Sequence, residues 1–224
     1  MAMLSNLDLI RRIPLFAHLT PAQAELLASS ISKARFKRGA MIVEQGKQSQ
    51  ALYVVLNGRA RVVMTDSQNR EVILANLRAG DYIGEMSLID NEPHSASVQA
   101  EVITDVLVLG REEFLRCLAD NTAMAFGVMR LLVHRLRTAD RKISSLALTG
   151  VYARVAQALL ESAEPDGHGE FVIKEKVSRQ DLAKMVGASR EMVSRVMRDF
   201  DDKGFIRTLP NGSTKIIERR GKPR

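Results

Sequence analysis

Between about Arg35 and Leu109 the apolar residues fall into short runs broken by Gly, Asn and Asp. Residues 51–56, 60–64, 72–74 and 102–109 are such runs, and their length and spacing predict short antiparallel strands of a sandwich or barrel. Gly39, Gly46, Gly58, Gly80 and Gly84 sit at the breaks, where turns need positive φ or close backbone approach. Upstream, Thr20-Pro21 ahead of residues 22–31 predicts a capped helix with proline in its first turn. From about Asp120 the period changes. Ala125, Met129, Leu132, Leu136, Ala139, Ile143 and Leu146 recur in alternating steps of four and three, with Arg130, Arg135, Arg137, Arg141 and Lys142 off that line. An amphipathic helix lying on its own domain would also carry a stripe. A repeat sustained this long favours a partner helix, with Met129, Leu132, Leu136, Ala139 and Ile143 as a dimer seam.

Gly150 is expected to end that helix before another begins at Val151. Residues 164–169 form a turn cluster ahead of a short strand at 170–173. Ser178 caps a helix opening at Arg179, with Asp181 standing where a capping box places its Glu. Two last strands, 205–209 and 214–217, flank Pro210-Asn211-Gly212-Ser213, a hairpin signal.

At 224 residues with 46% hydrophobic content, the chain can hold two modest domains with their own cores. Lys and Arg outnumber Asp and Glu by 33 to 26, a net charge of +7, which favours polyanionic partners. Cys117 is the single cysteine, so an internal disulfide and a multi-thiolate zinc or iron–sulfur site are excluded. No apolar run is long enough to span a bilayer, and residues 1–12 lack the basic and apolar blocks of a secretion signal. A cytoplasmic protein with no membrane partner is the expectation.

The segment from Ser178 to Arg198 carries the most specific chemistry. A short helix turns Leu182 and Met185 inward, with Ala183 where two helices approach and Gly187 at the turn. A second helix opens at Ser189 and buries Val193, Val196 and Met197. Its other face holds Arg190, Ser194 and Arg198, with Glu191 and Arg195 beside them. An arginine can donate twice to guanine O6 and N7, and a glutamate accepts from cytosine N4, so this is what a recognition helix requires. A charged solvated face on an ordinary helical hairpin would look similar. The small residue, the turn glycine, the following hairpin and the seam arrive in the order of a dimeric winged helix-turn-helix.

This segment resembles the DNA-binding domain of the Crp–Fnr (catabolite activator and fumarate-nitrate regulator) family, and the resemblance extends over nearly the whole chain. It implies an α+β architecture: a cyclic-nucleotide-binding-type β-roll over residues 1–119, a long dimerisation helix over 120–148 and a winged helix-turn-helix over 149–224. It also implies that Arg190, Glu191 and Arg195 read a TGA-containing core in each half-site, while Arg179 and Ser189 hold phosphates. Gln180 and Ser194 complete the candidate DNA-contact set. Arg190 with Glu191 resembles the catabolite-activator pattern, and Ser194 next to Arg195 the fumarate-nitrate one. A TGTGA-like half-site is favoured over a TTGAT-like one because Arg190 is present. Double-stranded DNA, a second copy of the chain and RNA polymerase are the implied partners.

Gly80-Asp-Tyr-Ile-Gly84-Glu85 and the stretch from Gly84 through Met86, His94 and Ser95 to Ala96 resemble the roll's phosphate cassette. A glycine-led helix start offers N–H groups to an anion, Glu85 can accept from ribose hydroxyls, and Ser95 can donate to phosphate. In cyclic-nucleotide binders an arginine stands at the position of His94, with a permanent charge and two parallel donors that histidine lacks. Ala139-Asp140 replaces the family's Thr-Ser pair on the dimer helix. The candidate effector set is therefore Gly84, Glu85, Met86, His94, Ser95 and Asp140, and weak or absent cAMP binding is expected. A cyclic dinucleotide such as cyclic di-GMP, a small acid, or no effector at all remain the three alternatives.

Other classes fit less well. His18, His94, His134 and His168 are scattered without metal-ligand spacing, and neither a phosphate loop nor a nucleophile elbow occurs, so no catalytic or metal site is expected. A nucleotide-sensing module that regulates a protein partner is the competing reading, and it would need the basic helix to serve something other than DNA.

Overall fold

A computed structural model describes residues 5–17, 19–166, 170–174, 177–209 and 213–217. It divides into two compact units, Met1–Arg137 and Thr138–Arg224. The first opens with helix α1 (Asn6–Arg12), a 3-10 turn (Pro14–Phe16) and helix α2 (Pro21–Ser30). Both helices start in capping boxes. Ser5 exchanges hydrogen bonds with Asp8, and Thr20 with Gln23, so backbone N–H groups that a helix start leaves orphaned are satisfied locally.

Eight strands follow: β1 (Ser32–Phe36), β2 (Met41–Val43), β3 (Ala51–Asn57), β4 (Ala60–Thr65), β5 (Glu71–Leu77), β6 (Tyr82–Ile83), β7 (Ser97–Ala100) and β8 (Thr104–Gly110). They form two antiparallel sheets, β1-β8-β3-β6 and β2-β7-β4-β5. Alternation along a strand sends neighbours to opposite faces. On β3, Val55 packs with Ile42, Val98 and Val106 in one core, while Leu52 and Val54 join Leu107 and Leu109 in another. Helices cover that second face, contributing Ile10, Leu27 and Phe114. A strand buried on both sides reads as a near-continuous apolar run, which is the pattern of residues 51–56.

The five glycines expected at turns all have positive φ. At Gly58 the requirement is absolute in both senses: φ is +95°, and a Cβ would lie 2.5 Å from the Ile103 carbonyl oxygen. Helix α3 (Glu85–Asp90) is inserted between β6 and β7. Helix α4 (Arg111–Asp120) follows β8, and α5 (Thr122–Leu148) runs for 27 residues. The boundary between the units falls inside α5.

In the second unit, Gly150 caps α6 (Val151–Ser162). Helix α7 (Arg179–Val186) and helix α8 (Arg190–Asp202) lie among strands β9 (Glu164–Pro165), β10 (Phe171–Ile173), β11 (Ile206–Thr208) and β12 (Thr214–Ile216). These pair antiparallel in the order β11-β12-β10-β9. Glu164 and Pro165, expected in a turn, instead pair with Val172 and Phe171. Proline fits there because β9 is an edge strand and needs no N–H on its outer side. The remainder of that turn, residues 167–169, and the hairpin tip, residues 210–212, lie outside the described residues, as do His18 and His168. One core joins Val155 and Leu159 of α6 to Leu182 and Val186 of α7 and to Val193 and Val196 of α8.

Gly58→Ala is expected to destabilise the first unit by about 2 kcal/mol or more, through combined left-handed strain and overlap with a carbonyl. Urea unfolding compared with the parent protein measures this.

Candidate DNA-binding surface and effector cavity

The first unit contains a small cavity of about 70 Å³. Its walls are apolar, with Val43, Val62 and Val98 from the roll, and Gly84, Glu85, Met86, His94, Ser95 and Arg135 form its polar end. Five expected effector residues are thus brought together. Asp140 belongs to the second unit, where it is exposed on α5. Arg135, not expected at this site, joins the five. Its guanidinium bonds Glu85 Oε1 and donates to the Tyr82 carbonyl at 2.6 Å. Glu85 is only 2% exposed. Burial pushes its carboxyl above the usual range and Arg135 opposes that shift. Its second oxygen, Oε2, is buried and has no hydrogen-bond partner. A buried acceptor without a donor is costly, and a ligand hydroxyl or amine would satisfy it.

His94 is buried and held at both ring nitrogens. Nδ1 lies 2.9 Å from Ser87 Oγ and Nε2 2.8 Å from Ser49 Oγ. Desolvation lowers its pKa, so the ring is neutral near pH 7. Ser87 and Ser49 were not anticipated from sequence, since neither lies in a recognisable pattern with His94. Ser95 is exposed at the cavity's edge. Cys117 is half-buried, and burial raises its thiol pKa.

Helix α5 presents two faces. Met124 and Val128 are buried in the core of the first unit, and Leu132, one turn on, packs against that same core. Leu132 is half-buried on that side, because steps of four align it with Met124 and Val128. Phe126, Met129, Val133, Leu136 and Ile143 form the exposed apolar stripe, and Leu136 and Ile143 are 62% and 65% exposed. Of the expected seam, Met129, Leu136, Ala139 and Ile143 remain on the exposed side.

In the second unit, Ser178 Oγ accepts from the Asp181 N–H at 2.9 Å and donates to its carboxylate at 2.7 Å, which starts α7. Gly187 ends the helix in left-handed conformation, with its N–H bonded to the Ala183 carbonyl. A Cβ there would meet Leu146 at 3.0 Å. Ser189 starts α8 by accepting from the Met192 N–H at 3.2 Å. Val193, Val196 and Met197 are buried, and Val186 joins Leu182 and Ala183 on the inner face of α7 while Met185 is only partly buried. Arg190, Glu191, Arg195 and Arg198 are exposed and Ser194 is half-buried. Positions 190, 191, 194 and 195 occupy one face over the first turns of α8. Glu191 is held below the usual carboxylate range by its own N–H, by Ser189 and by Arg190, so it remains an acceptor. Arg179 lines a recess with Ser194 and Arg198, and Gln180 is exposed beside it. Burial lowers the Arg179 pKa against the pull of Asp201, leaving a charged guanidinium all the same.

Known proteins can now be set beside this geometry. Residues 33–121 match the cyclic nucleotide-binding domain, and residues 153–221 match the Crp-like helix-turn-helix domain. The cyclic AMP receptor protein of Thermus thermophilus is 35% identical over 205 residues, 92% of this chain and 93% of that protein. The chain belongs to the Crp–Fnr family of transcription regulators. The solved catabolite activator protein of Thermus thermophilus is 34% identical, with a TM-score of 0.53 over 92% of this chain and 94% of that one. The c-di-GMP responsive regulator CLP of Xanthomonas campestris, 22% identical, shares the fold, with a TM-score of 0.73 over 88% of this chain and 99% of that one. Crp–Fnr regulators bind DNA and act as dimers, and this chain has the family's cyclic nucleotide-binding and DNA-binding domains. Among the described residues no helix is long and apolar enough to cross a membrane, and no cluster of His, Cys, Asp or Glu is placed to hold a metal ion.

His94 makes stability pH-dependent in a definite direction. Its folded pKa lies below the ordinary 6.5, so the unfolded chain takes up the proton first on acidification. Stability is expected to be complete above that value and to fall as pH drops below it. His94→Gln should flatten the slope in thermal melts taken between pH 5 and pH 7.

Proposed function

We propose that the protein acts as a homodimer on palindromic DNA with TGTGA-like half-sites. Arg190, Glu191 and Arg195 contact bases, while Arg179, Gln180, Ser189 and Ser194 fix the helix on the sugar–phosphate backbone. The observation that carries this reading is the exposed Arg190-Glu191-Ser194-Arg195 face at the N-terminal end of α8. That end of a recognition helix enters the major groove, and the helix macrodipole adds attraction to phosphate. The exposed α5 stripe supports pairing with a second copy, which would set two recognition helices about one DNA turn, ~34 Å, apart. RNA polymerase is the partner expected beyond DNA.

The effector enters through the roll, and cAMP is disfavoured. A cyclic phosphate needs a permanent positive partner, whereas His94 is neutral and engaged by two serines, and Arg135 is engaged by Glu85. A cyclic dinucleotide is the leading candidate. It is larger than the present cavity, and exposed Arg130 and Arg137 on α5 could supply charge to it. Because Arg135 belongs to both the cavity and α5, ligand at Glu85 would act on the helix that carries the stripe.

Fluorescence anisotropy on a labelled TGTGA-N6-TCACA palindrome tests the reading, with no ligand, with cAMP and with cyclic di-GMP. Specific binding that weakens steeply with salt is expected, together with a response to cyclic di-GMP and none to micromolar cAMP. Arg195→Ala should cost about 1–3 kcal/mol at one base pair. Unchanged discrimination in that variant would sink the base-reading assignment. Leu136→Glu is expected to shift sedimentation from dimer towards monomer and to weaken palindrome binding with it.

A further inference from the structure

The recognition helix carries a carboxylate one turn behind its reading arginine. Asp199 follows Arg195 by four positions, so both project from the same side of α8. An arginine and an aspartate in that relation ordinarily attract each other, and a guanidinium drawn back onto its own helix is not available to a base. No ion pair joins them within 4 Å among the described residues. Asp199 Oδ2 instead accepts a hydrogen bond from the Tyr152 hydroxyl, from the second residue of α6. Tyr152 is held in place by its ring, which stands edge-on to Phe200 at 6.0 Å, and Phe200 stands edge-on to Phe205 at the same distance. Asp199 in turn raises the Tyr152 pKa, so the phenol stays protonated and remains a donor. The charge of Arg195 is also felt at that phenol.

We infer that Tyr152 is a positioning residue for DNA reading: by holding Asp199 Oδ2 towards α6, it competes with Arg195 for that carboxylate and leaves the guanidinium extended for the major groove. The inference rests on Arg195 being the base reader. Tyr152 never touches DNA in this arrangement, and it acts through Asp199. It also links α6 to α8, so the availability of Arg195 depends on how firmly the two helices are docked.

The test is a set of full-length variants, Tyr152→Phe, Asp199→Asn, the double variant and Arg195→Ala. Binding is measured on the palindrome and on versions with each base pair of the TGA core exchanged in turn. The readout is the ratio of affinities, which cancels the general gain from removing a negative charge near DNA. Tyr152→Phe keeps the ring contacts and is expected to lower discrimination about threefold, the size of a surface ion pair, at the base pair that Arg195→Ala also relaxes. The double variant should return to the Asp199→Asn value, because no carboxylate remains to capture the arginine. Equal loss in Tyr152→Phe and the double variant would mean that the tyrosine serves only packing, and no loss in Tyr152→Phe would also overturn the inference. If Arg195→Ala itself changes nothing, the base-reading assignment has failed and the inference falls with it.

Discussion

A carboxylate buried to 2% exposure is tolerable only beside a positive partner, and for Glu85 that partner comes from the long helix. Much else follows from this pairing. Gly84, with φ of +93°, lets the chain turn sharply enough to start α3 and deliver Glu85 inward. Arg135 must approach from α5, which sets the rotation of that helix about its own axis. Met124, Val128 and Leu132 then face the roll, and Phe126, Met129, Val133 and Leu136 face away. The pairing satisfies one carboxylate oxygen and leaves the other without a donor, so the site is stable enough to persist and retains an affinity for a donor.

The two sides of the protein use charge differently. At the cavity of the roll, Glu85 and Arg135 engage each other and His94 is kept neutral by burial. On α8, Arg190, Glu191 and Arg195 stay in water. Burying Val193, Val196 and Met197 makes the recognition helix rigid, so the entropy lost on binding DNA is confined to the exposed side chains.

Most of the architecture was legible because its signals are local. The caps at Thr20 and Ser178, the left-handed turn at Gly187 and the near-continuous apolar run of β3 are each set by neighbours within a few positions. The pairing of Glu164-Pro165 as an edge strand was missed because a Pro-Asp-Gly sequence reads as a turn whichever strand it borders. Leu132, expected in the seam, packs against the roll's core, since α5 carries apolar residues on adjacent columns and only the roll decides which of them it covers. At the polar end of the cavity, the partners of the expected residues were not legible. Ser49 lies 45 residues from His94, and Arg135 lies 50 from Glu85, so neither contact leaves a periodic trace. An arginine on a helix rich in arginine gives no sign of which one will turn inward.

The exposed stripe on α5 has a consequence for dose. If the exposed residues Phe126, Met129, Val133, Leu136 and Ile143 form the dimer face proposed above, the protein exists in two forms linked by mass action. Below the dissociation constant of the pair, the amount of competent protein rises with the square of the total. At a promoter far from saturation, a twofold change in synthesis then becomes about a fourfold change in occupancy, a steepness that arises before any effector is bound.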